Sequence, residues 1–248
     1  MVMNKKLKEV LITYNKQALA LTPLRDKKPF LQGWQHTKPE DFNIENFNKS
    51  ESAGVIIPEW MLVIDVDVHK GKFGKESLEK MSKDFGFDFL NNAGIVVKTA
   101  SGGYHLYYKI PAEIIGSEII NELKTHYPSV EFKSIGRQVV IPGSRLSDGR
   151  SYSYDILRNK GWDKIIEAPL EFFKVITGKS KPKSLSENNF GKIHNHPADI
   201  ISFQGYLANH EEVVEGDRNN TAFIFAAEGK ERALSEETIF TCIVESSP

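Results

Sequence analysis

The sequence predicts a mixed α/β fold of the α+β kind. Short apolar runs rich in β-branched residues, such as 61–67 and 94–99, alternate with stretches of helical period. Turns rich in glycine and proline separate them, among them Pro58-Glu59 and Ser101-Gly102-Gly103. At 248 residues, 40% hydrophobic and 26% charged, the chain is long and apolar enough for one large domain with a smaller module.

Residues 5–17 read as a helix, because Leu7, Val10, Leu11 and Tyr14 form one stripe. A short apolar segment follows at 18–24. Residues 27–35 read as a loop, by Pro29, Gly33 and the charges of Lys27 and Lys28. Residues 54–57 and 61–67 read as strands paired across Pro58-Glu59. Residues 74–84 are a helix with Leu78 and Met81 inward. Residues 94–99 and 104–110 are strands flanking a hairpin-like turn. Residues 116–126 read as helical, and 130–133 with 138–141 as a strand pair around Ile135-Gly136-Arg137. An edge strand at 152–156 and a helix at 169–177 close this block.

Composition changes after residue 178. Residues 179–197 are polar and basic, a linker signature. Short helices are expected at 198–210, 217–230 and 235–244, the last with Ser235 at the N-cap and Glu236 and Glu237 in its first turn. The expected organisation is a main domain over 1–178, a linker over 179–197 and a small helical module over 198–248. So short a module buries little surface, so it is expected to be incomplete, or the chain a fragment.

The net charge of −1 carries no global basic signature, which argues against a histone-like binder but not against a local basic groove. The one cysteine, Cys242, excludes an internal disulfide and a cysteine-based zinc site. It fits a reducing, cytoplasmic setting. No apolar run is long enough to span a membrane, and the N-terminus lacks the apolar core of a signal peptide.

The chemistry starts at Asp65 and Asp67, which end the run Met61-Leu62-Val63-Ile64-Asp65-Val66-Asp67. Strand period places both on one face, with Cα atoms roughly 6.6 Å apart. Their repulsion is relieved either by solvent at a strand end or by hard divalent cations, which prefer oxygen ligands. Ser101-Gly102-Gly103 is either a plain hairpin turn or a cradle for a triphosphate, with Lys98 adding charge and His105 opening the next strand. Glu131 alternates with apolar neighbours and shares a face with Lys133. It is either an exposed strand residue or the third carboxylate of a two-metal cluster. Lys133, Arg137 and Arg145 are solvated basic residues or phosphate contacts.

These residues resemble a known family. Gly54-Val55 and Val63 to His69, with Ser77-Leu78 following, look like its first motif. Ser101-Gly102-Gly103-Tyr104-His105 looks like the second. Glu131, Gly136 and Val139 to Ser144 look like the third. Pro23, Lys28-Pro29 and Gly33-Trp34-Gln35 match the N-terminal signature. The family is the bifunctional primase–polymerase (prim-pol) domain of the archaeo-eukaryotic primase superfamily, common in replication proteins of plasmids, phages and mobile elements. The resemblance covers about residues 10–175.

It implies an RRM-like catalytic sheet packed with an N-terminal α/β module. It implies Asp65, Asp67 and Glu131 as catalytic metal ligands for two Mg²⁺ or Mn²⁺ ions. Lys98, Ser101, Gly102, His105, Lys133 and Arg137 are the expected nucleotide-binding set. The implied partners are a single-stranded DNA template, NTP or dNTP, and a helicase fused or in trans. Two features depart from the family pattern: the third acid is Glu131 rather than Asp, and there is no cysteine-rich zinc element. In the tail, Gly216-Asp217-Arg218-Asn219 followed by Ala226-Ala227 resembles the start of a small helical domain that often follows prim-pol domains. A capped amphipathic helix is the plainer reading.

Two other function classes compete. A glycosyltransferase also uses an Asp-x-Asp at a strand end, but leaves Ser101-Gly102-Gly103-Tyr104-His105 and Glu131 unexplained. A non-catalytic replication-initiator module would bind single-stranded DNA without polymerising, and retention of Asp65, Asp67 and His105 argues against it.

Overall fold

The computed structural model describes residues 4–179, 200, 204, 207, 234 and 236–245. The chain divides into two compact units, Met1–Pro182 and Lys183–Pro248.

The first unit opens with helix α1 (Lys5–Lys16), capped by the Asn4 side chain accepting from the Lys6 N–H at 2.9 Å. Its buried stripe is Leu7, Leu11 and Tyr14, and each such side chain contributes roughly 1.5–3 kcal/mol by leaving water. Strands β1 (Leu21–Arg25), β2 (Lys28–Pro29), β3 (Ser52–Ile56) and β8 (Gln138–Val140) form an antiparallel sheet in the order β2-β1-β3-β8. Strands β4 (Met61–Val66), β5 (Ile95–Lys98), β6 (Tyr104–Lys109), β7 (Val130–Lys133) and β9 (Ser153–Tyr154) form a second, in the order β7-β4-β6-β5-β9. Helix α2 (Gly74–Phe85) and the short α3 (Phe89–Asn92) link β4 to β5, and α4 (Leu170–Ile176) follows β9.

Within the five-stranded sheet, β4-α2-β5 is a crossover, β5-β6 a hairpin, and β7 returns beside β4. That is the strand order of an RRM-like sheet, and the α+β expectation holds.

The central strand β4 is buried on both faces as far as Ile64, which is why it reads as a continuous apolar run. Met61, Val63, Val97 and Tyr107 face a core shared with α1 and the four-stranded sheet. Leu62, Ile64, Val96 and Leu106 face a second core with Leu78 and Met81 of α2 and Phe172 and Phe173 of α4. The five-stranded sheet is thus a middle layer between helices and the smaller sheet.

Three local expectations are corrected. Residues 54–57 and 61–67 are not a hairpin: β3 lies between β1 and β8, whereas β4 lies between β6 and β7. The Pro58 turn carries the chain from one layer to the other, with the Met61 N–H donating to the Pro58 carbonyl at 3.1 Å. Residues 130–133 and 138–141 likewise pair with β4 and β3 rather than with each other. Residues 116–126 form no helix. Their backbone is drawn into extended contacts, Phe132 N–H to the Asn121 carbonyl at 2.7 Å and Ile120 N–H to the Ile176 carbonyl at 2.7 Å. Partners on two other elements outbid local helix bonds.

In the second unit, α5 (Glu236–Glu245) matches the helix expected at 235–244, and Ile239 and Cys242 cluster with Leu207 and Leu234. The expected linker at 179–197 and helices at 198–210 and 217–230 lie largely outside the described residues. No helix among the described residues is long and apolar enough to cross a membrane.

Candidate active site

The antiparallel register aligns the key residues on one rung. Asp65 of β4 lies directly opposite His105 of β6 on one side and Glu131 of β7 on the other. Directly opposed residues share a face, with Cα atoms about 4.5–5.5 Å apart. Asp67 shares that face two residues on. Its backbone is clamped, its N–H donating to the Ser129 carbonyl and its carbonyl accepting from the Gly74 N–H, both at 3.0 Å.

This face is apolar through Met61 and Val63 and turns acidic at Asp65. A cleft of about 160 Å³ opens there. Asp65, Asp67, His105 and Lys133 line it from the larger sheet, with Thr99 and Ser101 from the β5–β6 turn. Lys27, Gln138 and Tyr152 line it from other elements.

The electrostatics are unusual. Burial pushes Asp65 up to about 7, with Asp67 and Glu131 adding to the rise and Lys133 and Lys27 opposing it. The Lys133 ammonium lies 4.0 Å from Asp65 Oδ2 and pairs closely with Glu131. Burial lowers His105 to about 3, helped by Lys133 and Lys27 and opposed by the Val140 backbone. The imidazole is therefore neutral near pH 7. Its Nε2 lies 3.5 Å from Asp65 Oδ1, and its buried Nδ1 makes no hydrogen bond of ordinary geometry. The Tyr152 ring sits 5.7 Å from the His105 ring. Burial, Asp65 and Asp67 all raise the Tyr152 hydroxyl.

Not every expected residue joins this group. Lys98 follows Val97, the residue opposite His105, so alternation sends it to the other face of β5. There its ammonium lies 3.8 Å from the buried Asp155 carboxylate. Arg137 is exposed on the turn between β7 and β8 and does not line the cleft. Gly102 has a φ of +90°, and its N–H closes the turn on the Thr99 carbonyl at 3.0 Å. The donors that this turn leaves to the cleft are hydroxyls, Ser101 Oγ and Thr99 Oγ1, 3.3 Å apart. Gly103 is needed for close approach, because a Cβ there would sit 2.0 Å from the Val66 carbonyl oxygen. Ser144 is buried and structural, its Oγ accepting from the Ala53 N–H at 3.1 Å.

Lys27, Gln138 and Tyr152 are cleft residues that the sequence reading missed. Tyr152 had a signal, since Ser151-Tyr152-Ser153-Tyr154 alternates with period two and Tyr154 packs into the core between the sheets. Gln138 had none, because it reaches the cleft through the pairing of β8 with β3, and Lys27 had none, because its turn is held there by Gln138 and the Ser147 N–H.

Among the described residues, no three His, Cys, Asp or Glu side chains converge closely enough to hold a metal ion. The donor set still suits a hard cation. Three carboxylates share one face on adjacent strands, burial with the charges of Asp67 and Glu131 holds Asp65 above its ordinary range, and a lysine ammonium rests between two of them.

No curated protein matches the chain. The family described as Prim-Pol, bifunctional DNA primase/polymerase, N-terminal, matches residues 11–171, well over half of the chain and every element that builds the cleft. The chain belongs to this family of DNA primase/polymerases, which act in DNA replication.

Proposed function

We propose that this protein performs template-directed nucleotidyl transfer on single-stranded DNA, making primers, extending them, or both. The observation that carries this reading is the rung Glu131–Asp65–His105, with Asp67 beside it, opening into a cleft rimmed by hydroxyls and lysines. Asp65, Asp67 and Glu131 would hold two Mg²⁺ or Mn²⁺ ions. Such ions, when bound, neutralise the triphosphate and activate the primer 3′-hydroxyl.

The chain's own residues do the rest. Ser101 and Thr99 present hydroxyl donors to phosphate oxygens. Neutral His105 offers one ring N–H without adding charge beside Asp65. Lys133 leaves its carboxylate partners and meets the triphosphate, joined by Lys27 from the opposite rim. Gly102 acts through its left-handed conformation, which shapes the turn. Lys98 and Arg137 act at most at a distance, Lys98 by holding Asp155.

The remaining partners are NTP or dNTP and a helicase, fused or in trans, the last resting on the tail resemblance alone. The setting is replication of a mobile element, plasmid or phage in the cytoplasm, which rests on the resemblance as well.

The test is nucleotide incorporation on unprimed and primed single-stranded DNA with Mg²⁺ or Mn²⁺, against the Asp65→Ala, Asp67→Ala double variant. Product from wild type alone is expected. Product from both would remove the metal assignment. Template binding without product from either would favour a non-catalytic initiator module.

A further inference from the structure

The turn that brings Lys27 to the cleft continues outward as a basic and aromatic surface. From Arg25 to Lys38 there are four Lys and Arg residues against one acid, Asp26, in a chain of net charge −1. The Asp26 carboxylate accepts from the Ser147 N–H at 2.6 Å, which pins the turn. The Lys27 carbonyl accepts from Gln138 Nε2 at 2.9 Å, a second anchor. Beyond the anchors most side chains stand in solvent. Phe30 is 45% exposed and Leu31 40%. The Arg25 guanidinium lies 6.0 Å from the Phe30 ring centroid. Trp34 follows, half-buried, after Gly33 at a φ of +71°. Among the described residues β2 pairs only with β1, so Lys28 and Pro29 lie at a sheet edge.

We propose that residues 25–38 form a track for single-stranded DNA that leads the strand to the cleft. This rests on the nucleotidyl-transfer reading above. An exposed ring beside a guanidinium suits the π-face of any base, and spaced lysines suit its phosphates without selecting sequence. The surface is continuous with the catalytic cleft through Lys27, so a strand lying on it reaches the nucleotide site. The density of one charge sign around exposed apolar groups fits a flexible polyanion with flat apolar faces.

The test uses the full chain and a fluorescent oligo-dT of about 20 nucleotides, longer than the ~4–16 nucleotides such grooves cover. Anisotropy is read across a salt series for wild type, Phe30→Ala and the pair Lys28→Glu, Lys38→Glu. Binding of Mn²⁺–dATP is measured in the same proteins. Phe30→Ala is expected to weaken oligonucleotide binding about tenfold. The charge pair is expected to flatten the salt dependence by more than one unit of slope, at ~0.7 per lost phosphate contact. Nucleotide binding is expected to stay unchanged in both. Variants that bind the oligonucleotide like wild type overturn the track and leave the surface to another partner, such as a protein. Parallel loss of nucleotide binding overturns it as well, since the effect would then be one of folding. Wild type that binds nucleotide but no oligonucleotide at low salt removes the template reading itself.

Discussion

Asp65 is held in a setting that resists its charge, and the consequence is measurable. Its ordinary value is 3.8 and burial raises it to about 7 in the folded state. Between these values the folded state binds more protons than the unfolded one, so stability falls as pH rises from about 4 to 7. Asp65→Asn mimics the neutral form. It should raise Tm at pH 8 by the equivalent of about 1–3 kcal/mol and change little at pH 4. Added Mn²⁺ should raise the Tm of wild type at pH 8 and not that of the variant. A variant no more stable than wild type at pH 8 would show that Asp65 is not strained. Lys133 stands where a cation is needed, so Lys133→Met should tighten Mn²⁺ binding in the nucleotide-free protein and weaken nucleotide binding, read by Mn²⁺ resonance and titration. Looser Mn²⁺ binding would mean that the ammonium shapes the site instead of competing for it. The alternation of Asp65 and Asp67 is legible in the sequence because a strand repeats every two residues. The same count applied to Val97 and Lys98 separates Lys98 from His105, but only once the register of β5 against β6 is known.

At the scale of elements, backbone contacts press on the acidic end of β4 from two sides. A Cβ at Gly74 would lie 2.2 Å from the Asp67 carbonyl oxygen, and one at Gly103 2.0 Å from that of Val66. Neither contact has room for a methyl group, so the start of α2 or the β5–β6 turn must move. Gly74→Ala should therefore displace Asp67 and cost about 1–3 kcal/mol in denaturant unfolding, with nucleotide incorporation falling further than stability alone explains. Gly103→Ala should shift the Ser101 hydroxyl and weaken nucleotide binding before template binding. Normal incorporation by Gly74→Ala would mean that the clamp on Asp67 is incidental. Helices α1, α2 and α4 are legible because their apolar stripes repeat with helical period. Residues 116–126 carry a similar period but lose it to β7 and α4, whose backbone groups need those partners. Both expected hairpins fail for one reason: the chain changes sheets at Pro58 and again between Ser134 and Arg137.

At the scale of the molecule, the two sheets pack through one core, and residues of both line the cleft at the acidic end of β4. The described residues that line it run from Lys27 to Tyr152, within the first unit. That unit holds two core clusters built from its own residues, Leu7 to Ile165 in one and Leu62 to Ile176 in the other. The second unit has a small cluster of its own around Leu207, Leu234, Ile239 and Cys242. Chemistry and core thus sit on the same side of residue 182. A chain ending at Pro182 should unfold in one cooperative transition and keep the Mn²⁺-dependent nucleotide affinity of the full protein within about twofold, since every described lining residue is retained. Loss of incorporation on unprimed DNA with primed extension intact would assign the second unit to initiation. Loss of nucleotide affinity itself would mean that the first unit's cores do not suffice to hold the rung Glu131–Asp65–His105 in register.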